Sequence, residues 1–182
     1  MNLKIKKILT KKNKTKIVCL TSYSKSIAKI LDKYCDIVLV GDSMANVLYG
    51  LKDTHSIKLV NMIQHTLSVE KSIKKSLLVV DMPKGTYKNF KIAKKNAKTI
   101  MKHTKCEAIK IESNNNNFNI IKGLVKANIP VMGHIGYTPQ FKKKFKIEGV
   151  GISSAKKLIK EAFGVEISLI NTPIGLQICI LD

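Results

Sequence analysis

The stretch Val-Leu-Val-Gly-Asp-Ser at residues 38–43 decides the fold class, because a short apolar run ends there abruptly at a glycine, a carboxylate and a hydroxyl. This pattern is typical of a buried strand that carries chemistry at its C-terminal end. It recurs twice downstream, at Leu77–Asp81 and at Ala108–Glu112. In a barrel of parallel strands, functional groups gather at the C-terminal rim. We therefore expect three acidic side chains that are far apart in sequence to converge on one point.

Three carboxylates at one rim repel one another unless a cation lies between them. A hard divalent cation such as Mg²⁺ prefers oxygen ligands and keeps coordination positions open for substrate. The repeated pattern therefore predicts a magnesium site that is built from Asp42, Asp81 and Glu112.

The length and composition predict one well-buried domain, since the chain has 182 residues, of which 45% are hydrophobic and 5% aromatic. The formal net charge of +21 suggests a nucleic-acid-binding protein. All 33 basic residues are lysine, however, and arginine is the preferred residue for bidentate recognition of phosphates and bases. We therefore interpret the charge as a solvated lysine surface and expect no nucleic-acid partner.

The cysteines and the apolar segments indicate the compartment. Cys19, Cys35, Cys106 and Cys179 are scattered and form no Cys-x-x-Cys motif, so neither a zinc ribbon nor a disulfide framework is expected. No apolar stretch approaches the roughly 20 residues that span a bilayer. The N-terminus lacks the apolar segment of a secretory signal. These features predict a cytoplasmic protein without a membrane partner.

Strand-like and helix-like segments alternate along the chain with a period of roughly 30 to 40 residues, which is typical of parallel α/β architecture. The first element is an amphipathic helix around residues 3–9, which is expected to lie across one end of the domain. Strands are predicted at residues 17–20, 37–40, 77–80, 108–111 and 129–132, and helices around residues 28–31, 59–74, 90–103, 118–126 and 155–162. No Gly-x-Gly-x-x-Gly follows the first strand, so a barrel is favoured over a doubly wound dinucleotide-binding sheet.

Two interpretations of Lys110 remain open from the residues alone. Strand alternation places Lys110 and Glu112 on one face of the fourth strand, and the isoleucines beside them on the other. A buried lysine beside a carboxylate can be a structural ion pair, whereas the repeated strand-end carboxylates favour a binding site. His134 follows the fifth strand at the same rim, but satisfied structural histidines are common.

Several short motifs, in order along the chain, carry a resemblance to a known family. They are Thr21-Ser22-Tyr23, Val40-Gly41-Asp42-Ser43, His65-Thr66, Asp81-Met82-Pro83, Lys110-Ile111-Glu112 and Gly133-His134-Ile135-Gly136-Tyr137-Thr138-Pro139-Gln140. With these motifs the chain resembles ketopantoate hydroxymethyltransferase, also called 3-methyl-2-oxobutanoate hydroxymethyltransferase, from Ile5 to Ile159. The resemblance implies a (β/α)₈ TIM-barrel-type fold, related to the phosphoenolpyruvate mutase and isocitrate lyase group.

The resemblance also implies a reaction and its participants. The family transfers a hydroxymethyl group from 5,10-methylenetetrahydrofolate to 3-methyl-2-oxobutanoate, which gives 2-dehydropantoate in pantothenate biosynthesis. It uses Mg²⁺ and usually assembles into a cytoplasmic homo-oligomer. Position by position, the implied magnesium ligands are Asp42, Asp81 and Glu112. The implied residues for the 2-oxo acid are Asp42, Ser43, Asp81, Lys110 and His134.

The chain departs from the family pattern near its end. A (β/α)₈ barrel typically needs about 250 residues, so about six strand–helix units are expected in this chain, as a single partial domain over residues 1–182. Residues 165–170 can be aligned with the sixth strand, which in the family ends at a glutamate that acts as the general base. Asn171 occupies that position here, so no catalytic base is assigned. Residues 163–182 are interpreted as a divergent tail, and a C-terminally truncated product without appreciable activity of its own is expected.

The first interpretation is a transferase of this family by descent, with most of its site and an incomplete barrel, and three others compete with it. A non-catalytic family member could retain magnesium or keto-acid binding. A mutase or lyase of the same superfamily is disfavoured by the motif at residues 133–140. A lysine-rich nucleic-acid binder would need clustered stacking aromatics, whereas the five phenylalanines and five tyrosines are dispersed.

Overall fold

The computed structural model describes residues 2–12, 14–113, 117–142, 149–170 and 176–180. Six strands form one parallel sheet: β1 Cys19–Thr21, β2 Ile37–Val40, β3 Leu77–Asp81, β4 Ala108–Glu112, β5 Val131–His134 and β6 Leu176–Ile180. The helices are α1 Leu3–Thr10, α2 Lys25–Leu31, α3 Met44–Val47, α4 Leu59–Val69, α5 Phe90–His103, α6 Phe118–Lys126 and α7 Ile152–Ile170.

The strands pair strictly in chain order, β1 to β6, and every pair is parallel. At least one helix lies between each strand and the next. This sequential order is the winding of a (β/α)₈ barrel, whereas a doubly wound sheet reverses its strand order at a switch point. The predicted incomplete TIM-barrel-type fold is thereby confirmed.

Two hydrophobic cores lie on the two faces of the sheet. Val38 and Val40 of β2 point outward and pack under the helices, together with Ile109 and Ile111 of β4. The alternate positions point inward, where Ile5 and Ile8 of α1 seal a smaller cluster. That inner cluster also contains Ile37, Leu39, Leu77, Val79, Ala108 and Met132. Strand alternation therefore sorts the sheet into a helix-covered face and an inner face.

Helix α1 closes the N-terminal end of the inner face, as predicted from its apolar spacing. Its Lys4 Nζ donates to the carbonyl oxygen of Ser76, which precedes β3, and forms an ion pair with Glu107, which precedes β4, at 3.0 Å in both cases. The side chain of Asn2 caps the helix by accepting from the N–H of Lys4 at 2.8 Å. Helix α1 thus leaves the opposite, C-terminal end of the inner face available for a site.

Local pattern predicted several elements to the residue and misplaced others. The bounds of β2, α5 and α6 match the predictions, whereas β1 begins at Cys19 and α4 ends at Val69 instead of continuing to Lys74. After Val69 the chain continues in turns, and the carboxylate of Asp32 binds the backbone N–H groups of residues 74–76 at 2.9–3.2 Å.

The predicted strand at residues 165–170 is wrong, because this segment is the last part of α7 and the sixth strand is Leu176–Ile180. Short apolar runs fit both periodicities, so the pattern alone does not separate helix from strand. At Gly164 a Cβ atom would lie 2.5 Å from the Phe118 ring, so the glycine lets α7 pack closely on α6. Asn171, aligned with the general base, lies outside the described residues. In the described part of the chain, no helix has the length and hydropathy needed to cross a membrane.

Candidate active site

The C-terminal ends of the strands surround a cavity of about 340 Å³, which we call the rim cavity. The parallel register sets Asp81 level with Lys110 and Glu112 level with His134. All six residues predicted for the site line this cavity: Asp42, Ser43, Asp81, Lys110, Glu112 and His134. The other described residues in its lining are Cys19, Leu20, Thr21, Leu39, Gly41, Tyr137 and Pro139. The expected convergence of the strand-end carboxylates is therefore observed.

Lys110 and Asp81 form a buried ion pair at the centre of the rim cavity. The Lys110 Nζ donates to Asp81 Oδ2 at 2.6 Å, and the two side chains are 6% and 2% exposed. Burial alone would lower the pKa of Lys110, but the charges of Asp81 and Asp42 outweigh it and raise that pKa. The lysine is therefore a fixed positive charge inside the cavity.

The three carboxylates are destabilised in their ionised form. Burial raises the pKa of Asp42 to about 7, and the neighbouring Asp81 adds to the rise. Burial raises the pKa of Glu112 to about 8, although Lys110 opposes the shift. Burial also raises the pKa of Asp81 against the opposing charge of Lys110. One lysine thus falls short of balancing three buried acids, and the site has the electrostatics of a cation-binding site.

The hydrogen bonding of two carboxylate oxygens indicates whether these residues fit a metal ion. Asp81 Oδ1 and Glu112 Oε1 are buried, and neither accepts a hydrogen bond from any described residue. Buried polar atoms are almost always paired, and carboxylate oxygens are the ligands that Mg²⁺ prefers. These donor types fit such a cation. Within the described residues, however, no three His, Cys, Asp or Glu side chains are already arranged as a metal centre.

Ser43 is held at the cavity edge by a short network. Its Oγ lies 2.8 Å from the Tyr23 hydroxyl, and the Tyr23 carbonyl lies 2.8 Å from Nδ1 of His65. A Cβ atom at Gly41 would lie 2.9 Å from the Ser43 Oγ, so glycine allows the hydroxyl to reach this position. The hydroxyl therefore faces the rim cavity in a fixed orientation.

His134 is a neutral side chain in this structure. Burial and, to a lesser extent, the positive charge of Lys110 lower its pKa to about 3. Its Nδ1 lies 3.9 Å from Glu112 Oε1, and because the ring is neutral this contact is not a salt bridge. The ring can line the cavity and exchange hydrogen bonds, but it is not a cation at neutral pH.

Two residues of the site network were not singled out from the sequence. Gln140, which is fully buried, contacts Asp42 and Glu112, and the Tyr87 hydroxyl donates to Gln140 Oε1 at 2.5 Å. Gln140 belongs to the motif at residues 133–140, which was the available signal. Tyr87 follows β3 in a loop, and no local pattern marked it.

A second cavity of about 550 Å³, which we call the outer cavity, adjoins the rim cavity and shares Ser43, Tyr137 and Pro139 with it. The other described residues of its lining are Asn46, Lys52, Asp53, Thr54, His55 and Lys142. His55 Nε2 lies 3.1 Å from the carbonyl oxygen of Pro139, which ties together two of the loops that form its wall. The site therefore has two adjacent cavities of unequal size, with these three residues in the lining of both.

Solved structures with low sequence identity share this architecture. A 2,3-dimethylmalate lyase, described as a PEP mutase/isocitrate lyase superfamily member, matches 96% of this chain and 63% of its own with a TM-score of 0.64 and 12% identity. A phosphonopyruvate hydrolase in complex with oxalate and Mg²⁺ matches 90% of this chain and 60% of its own with a TM-score of 0.65 and 9% identity. At these identities the likeness shows the fold.

Sequence relatives are much closer. The 3-methyl-2-oxobutanoate hydroxymethyltransferase of Pelagibacter ubique is 51% identical over 162 residues, which are 89% of this chain and 63% of the relative. That of Anaplasma marginale is 41% identical over 168 residues, which are 91% of this chain and 61% of the relative. The chain thus spans less than two thirds of the length of these relatives. Residues 2–168 match the family described as ketopantoate hydroxymethyltransferase. With this match and these identities, the chain belongs to the ketopantoate hydroxymethyltransferase family of transferases.

Proposed function

We propose that the rim cavity binds a 2-oxo acid together with Mg²⁺, as the acceptor side of a hydroxymethyl transfer. The donor would be 5,10-methylenetetrahydrofolate, the acceptor 3-methyl-2-oxobutanoate and the product 2-dehydropantoate. The observation that supports this most directly is the pair of buried oxygens, Asp81 Oδ1 and Glu112 Oε1, that accept no hydrogen bond from the described residues in a cavity that also holds the Lys110 ammonium.

The charge balance supports a divalent cation in particular. Asp42, Asp81 and Glu112 contribute three negative charges when ionised, and Lys110 contributes one positive charge, which leaves two negative charges. A monovalent cation would leave one of them unbalanced in a buried site. When bound, Mg²⁺ would favour loss of the proton on C3 of the acid by stabilising negative charge on the ketone oxygen.

The remaining groups act on the 2-oxo acid. The Lys110 ammonium supplies a further positive charge for negative charge that develops on the substrate, in a buried site where such contacts are strong. The Ser43 hydroxyl, fixed by Tyr23, can donate to the substrate carboxylate. Neutral His134 lines the same wall without competing for the anion. These residues bind and orient the acid, and none of them is assigned as the base.

The outer cavity is the proposed place for the larger folate substrate. It adjoins the rim cavity at Ser43 and Tyr137, and Lys52 and Lys142 contribute positive charge to its lining. A cytoplasmic location and homo-oligomeric assembly belong to the same proposal, because they are properties that the family resemblance implies.

Isothermal titration calorimetry of the purified chain tests the proposal. We expect 3-methyl-2-oxobutanoate to bind at least about 10-fold more tightly with saturating Mg²⁺ than with EDTA. A tenfold change in affinity corresponds to about 1.4 kcal/mol of binding free energy. The matched control ligand is 3-methylbutanoate, which lacks the ketone oxygen and should gain nothing from Mg²⁺. Equal affinity for the keto acid with and without Mg²⁺ would contradict the proposal.

A further inference from the structure

Gln140 lies behind the carboxylates of the rim cavity and outside the set of described residues that line it. Its side chain has no solvent exposure, and its amide oxygen, its amide nitrogen and its backbone N–H all form hydrogen bonds. A glutamine buried among acids costs free energy unless its amide is fully paired. Its position therefore calls for an explanation in terms of the residues that it contacts.

Four hydrogen bonds connect Gln140 to the site. Its Nε2 donates to Asp42 Oδ2 at 2.9 Å and to the carbonyl oxygen of Met82 at 3.0 Å. Its Oε1 accepts from the Tyr87 hydroxyl at 2.5 Å. Its backbone N–H donates to Glu112 Oε2 at 3.0 Å. One residue thus contacts two of the three carboxylates.

The orientation of the Gln140 amide is determined by these partners. A carboxylate and a carbonyl oxygen can only accept, so the amide NH₂ group has to face Asp42 and Met82. A rotated amide would set its oxygen against two other oxygens and leave the Tyr87 hydroxyl without its acceptor. Tyr87 therefore fixes the amide, and the amide fixes Asp42.

The three carboxylates share one feature: in each of them, one oxygen accepts a hydrogen bond from Gln140 or Lys110. Gln140 holds Asp42 Oδ2 and Glu112 Oε2, and Lys110 holds Asp81 Oδ2. In Asp81 and Glu112 the other oxygen accepts no hydrogen bond from the described residues. Holding one oxygen of a carboxylate directs the second one, and such supporting contacts tune metal sites.

We propose that Gln140 is a positioning residue for the metal: it does not touch the cation but orients Asp42 and Glu112 toward it, and Tyr87 fixes the Gln140 amide. This inference rests on the proposed function. Mg²⁺ demands near-ideal octahedral geometry, whereas Ca²⁺ accepts about six to eight oxygens in flexible arrangements. Loss of the orientation should therefore weaken Mg²⁺ binding more than Ca²⁺ binding.

The test measures Mg²⁺ and Ca²⁺ affinities by calorimetry for the full chain and four variants. Gln140→Met should weaken Mg²⁺ binding by about 10- to 100-fold and Ca²⁺ binding by less. Tyr87→Phe should give a smaller loss with the same preference, and the double variant should match Gln140→Met, because Tyr87 acts through the amide. The control is Thr104→Val, which removes a buried hydroxyl that donates to the Ile100 carbonyl at 2.8 Å near the opposite end of the sheet.

Each outcome decides the proposal. Unchanged Mg²⁺ affinity in Gln140→Met overturns the positioning role and leaves the proposed function intact. Equal weakening of Mg²⁺ and Ca²⁺ binding in Gln140→Met also overturns it. If Thr104→Val shows the same equal weakening, the loss of affinity follows from reduced stability of the fold. A wild-type chain that binds no Mg²⁺ overturns both proposals. If Gln140→Met does not fold, Tyr87→Phe decides, and an unchanged Mg²⁺ to Ca²⁺ ratio there is contrary to the inference.

Discussion

Carboxylates lie at both ends of the sheet, buried or half-buried, and their hydrogen-bond partners differ between the two ends. At the N-terminal end, Asp32 accepts hydrogen bonds from the backbone N–H groups of residues 74–76. Asp36 accepts from Lys11 Nζ at 2.6 Å and from the N–H of Val18 at 3.0 Å. There, both oxygens of each acid are paired. At the C-terminal rim, donors are scarce, and buried oxygens of two acids accept no hydrogen bond from the described residues.

The pKa shifts of the two ends have opposite signs for this reason. Burial alone would raise the pKa of Asp32 and Asp36, but the hydrogen bonds that they accept outweigh it and lower both values. At the rim, burial and mutual repulsion raise the pKa of Asp42 to about 7. The same residue type therefore stabilises the fold at one end and, under the proposed function, would bind a cation at the other.

The largest difference in Mg²⁺ affinity should appear when one carboxylate at each end is replaced by an amide, in separate variants. Asp81→Asn removes a proposed ligand charge, so we expect calorimetry to show no measurable Mg²⁺ binding. The matched change Asp36→Asn should leave Mg²⁺ affinity unchanged while lowering stability, because its partners are Lys11 and the N–H of Val18. If the two variants bind Mg²⁺ equally well, the contrast between the ends does not hold.

Lys110→Met separates a binding lysine from a structural ion pair. Without Mg²⁺, removal of the ammonium leaves Asp81 buried beside other acids, and the free energy of unfolding should fall by about 3 kcal/mol. If a cation balances these acids, saturating Mg²⁺ should recover most of that loss, while 3-methyl-2-oxobutanoate binding stays weakened. Urea denaturation with and without Mg²⁺ measures this. A loss that Mg²⁺ does not reduce, with keto-acid binding intact, would favour the structural pair.

Asp32→Asn should destabilise the chain without affecting the rim. The amide keeps one acceptor oxygen, so we expect a loss of about 2 kcal/mol in unfolding free energy and an unchanged Mg²⁺ affinity. The wild-type contribution is linked to pH: the folded pKa lies below the ordinary value of 3.8, so this stability is present above that pH and disappears as the pH falls through the folded pKa. Urea denaturation between pH 7 and pH 3, of both proteins, should show the difference shrinking at the acidic end. A constant difference would argue against the charge as its cause.

Asn2→Ala should give the smallest effect. Asn2 accepts from the N–H of Lys4 at 2.8 Å and donates to Glu107 Oε1 at 2.8 Å, so its loss removes the cap of α1. Helix caps of this type contribute about 1 kcal/mol. Thermal denaturation should show the loss, and Asn2→Asp, which restores the capping oxygen, should recover part of it. A loss of keto-acid binding in Asn2→Ala would show that the two ends are coupled.

The elements that the sequence predicted well are those whose signals are local. The limits of α5 follow from Asn89, whose side chain accepts from the N–H of Ile92, and from the helical spacing of the buried Ala93, Ala97 and Ile100. Strand β4 placed Lys110 and Glu112 on one face, because successive side chains of a strand alternate. The strand predicted at residues 165–170 was wrong, since their apolar positions fit both a strand and the end of a helix.

The sequence by itself determined the parallel strands, the rim and six of the residues that line its cavity, because apolar runs ending in carboxylates are a local pattern that parallel pairing brings together. Only the tertiary structure decided which oxygens of those carboxylates accept hydrogen bonds from other residues. Gln140 lies 98 positions from Asp42 and Tyr87 lies 53 positions from Gln140. Hydrogen bonds between residues so far apart depend on how loops pack above the strands, and a buried group takes the partner that packing brings within about 3 Å of it.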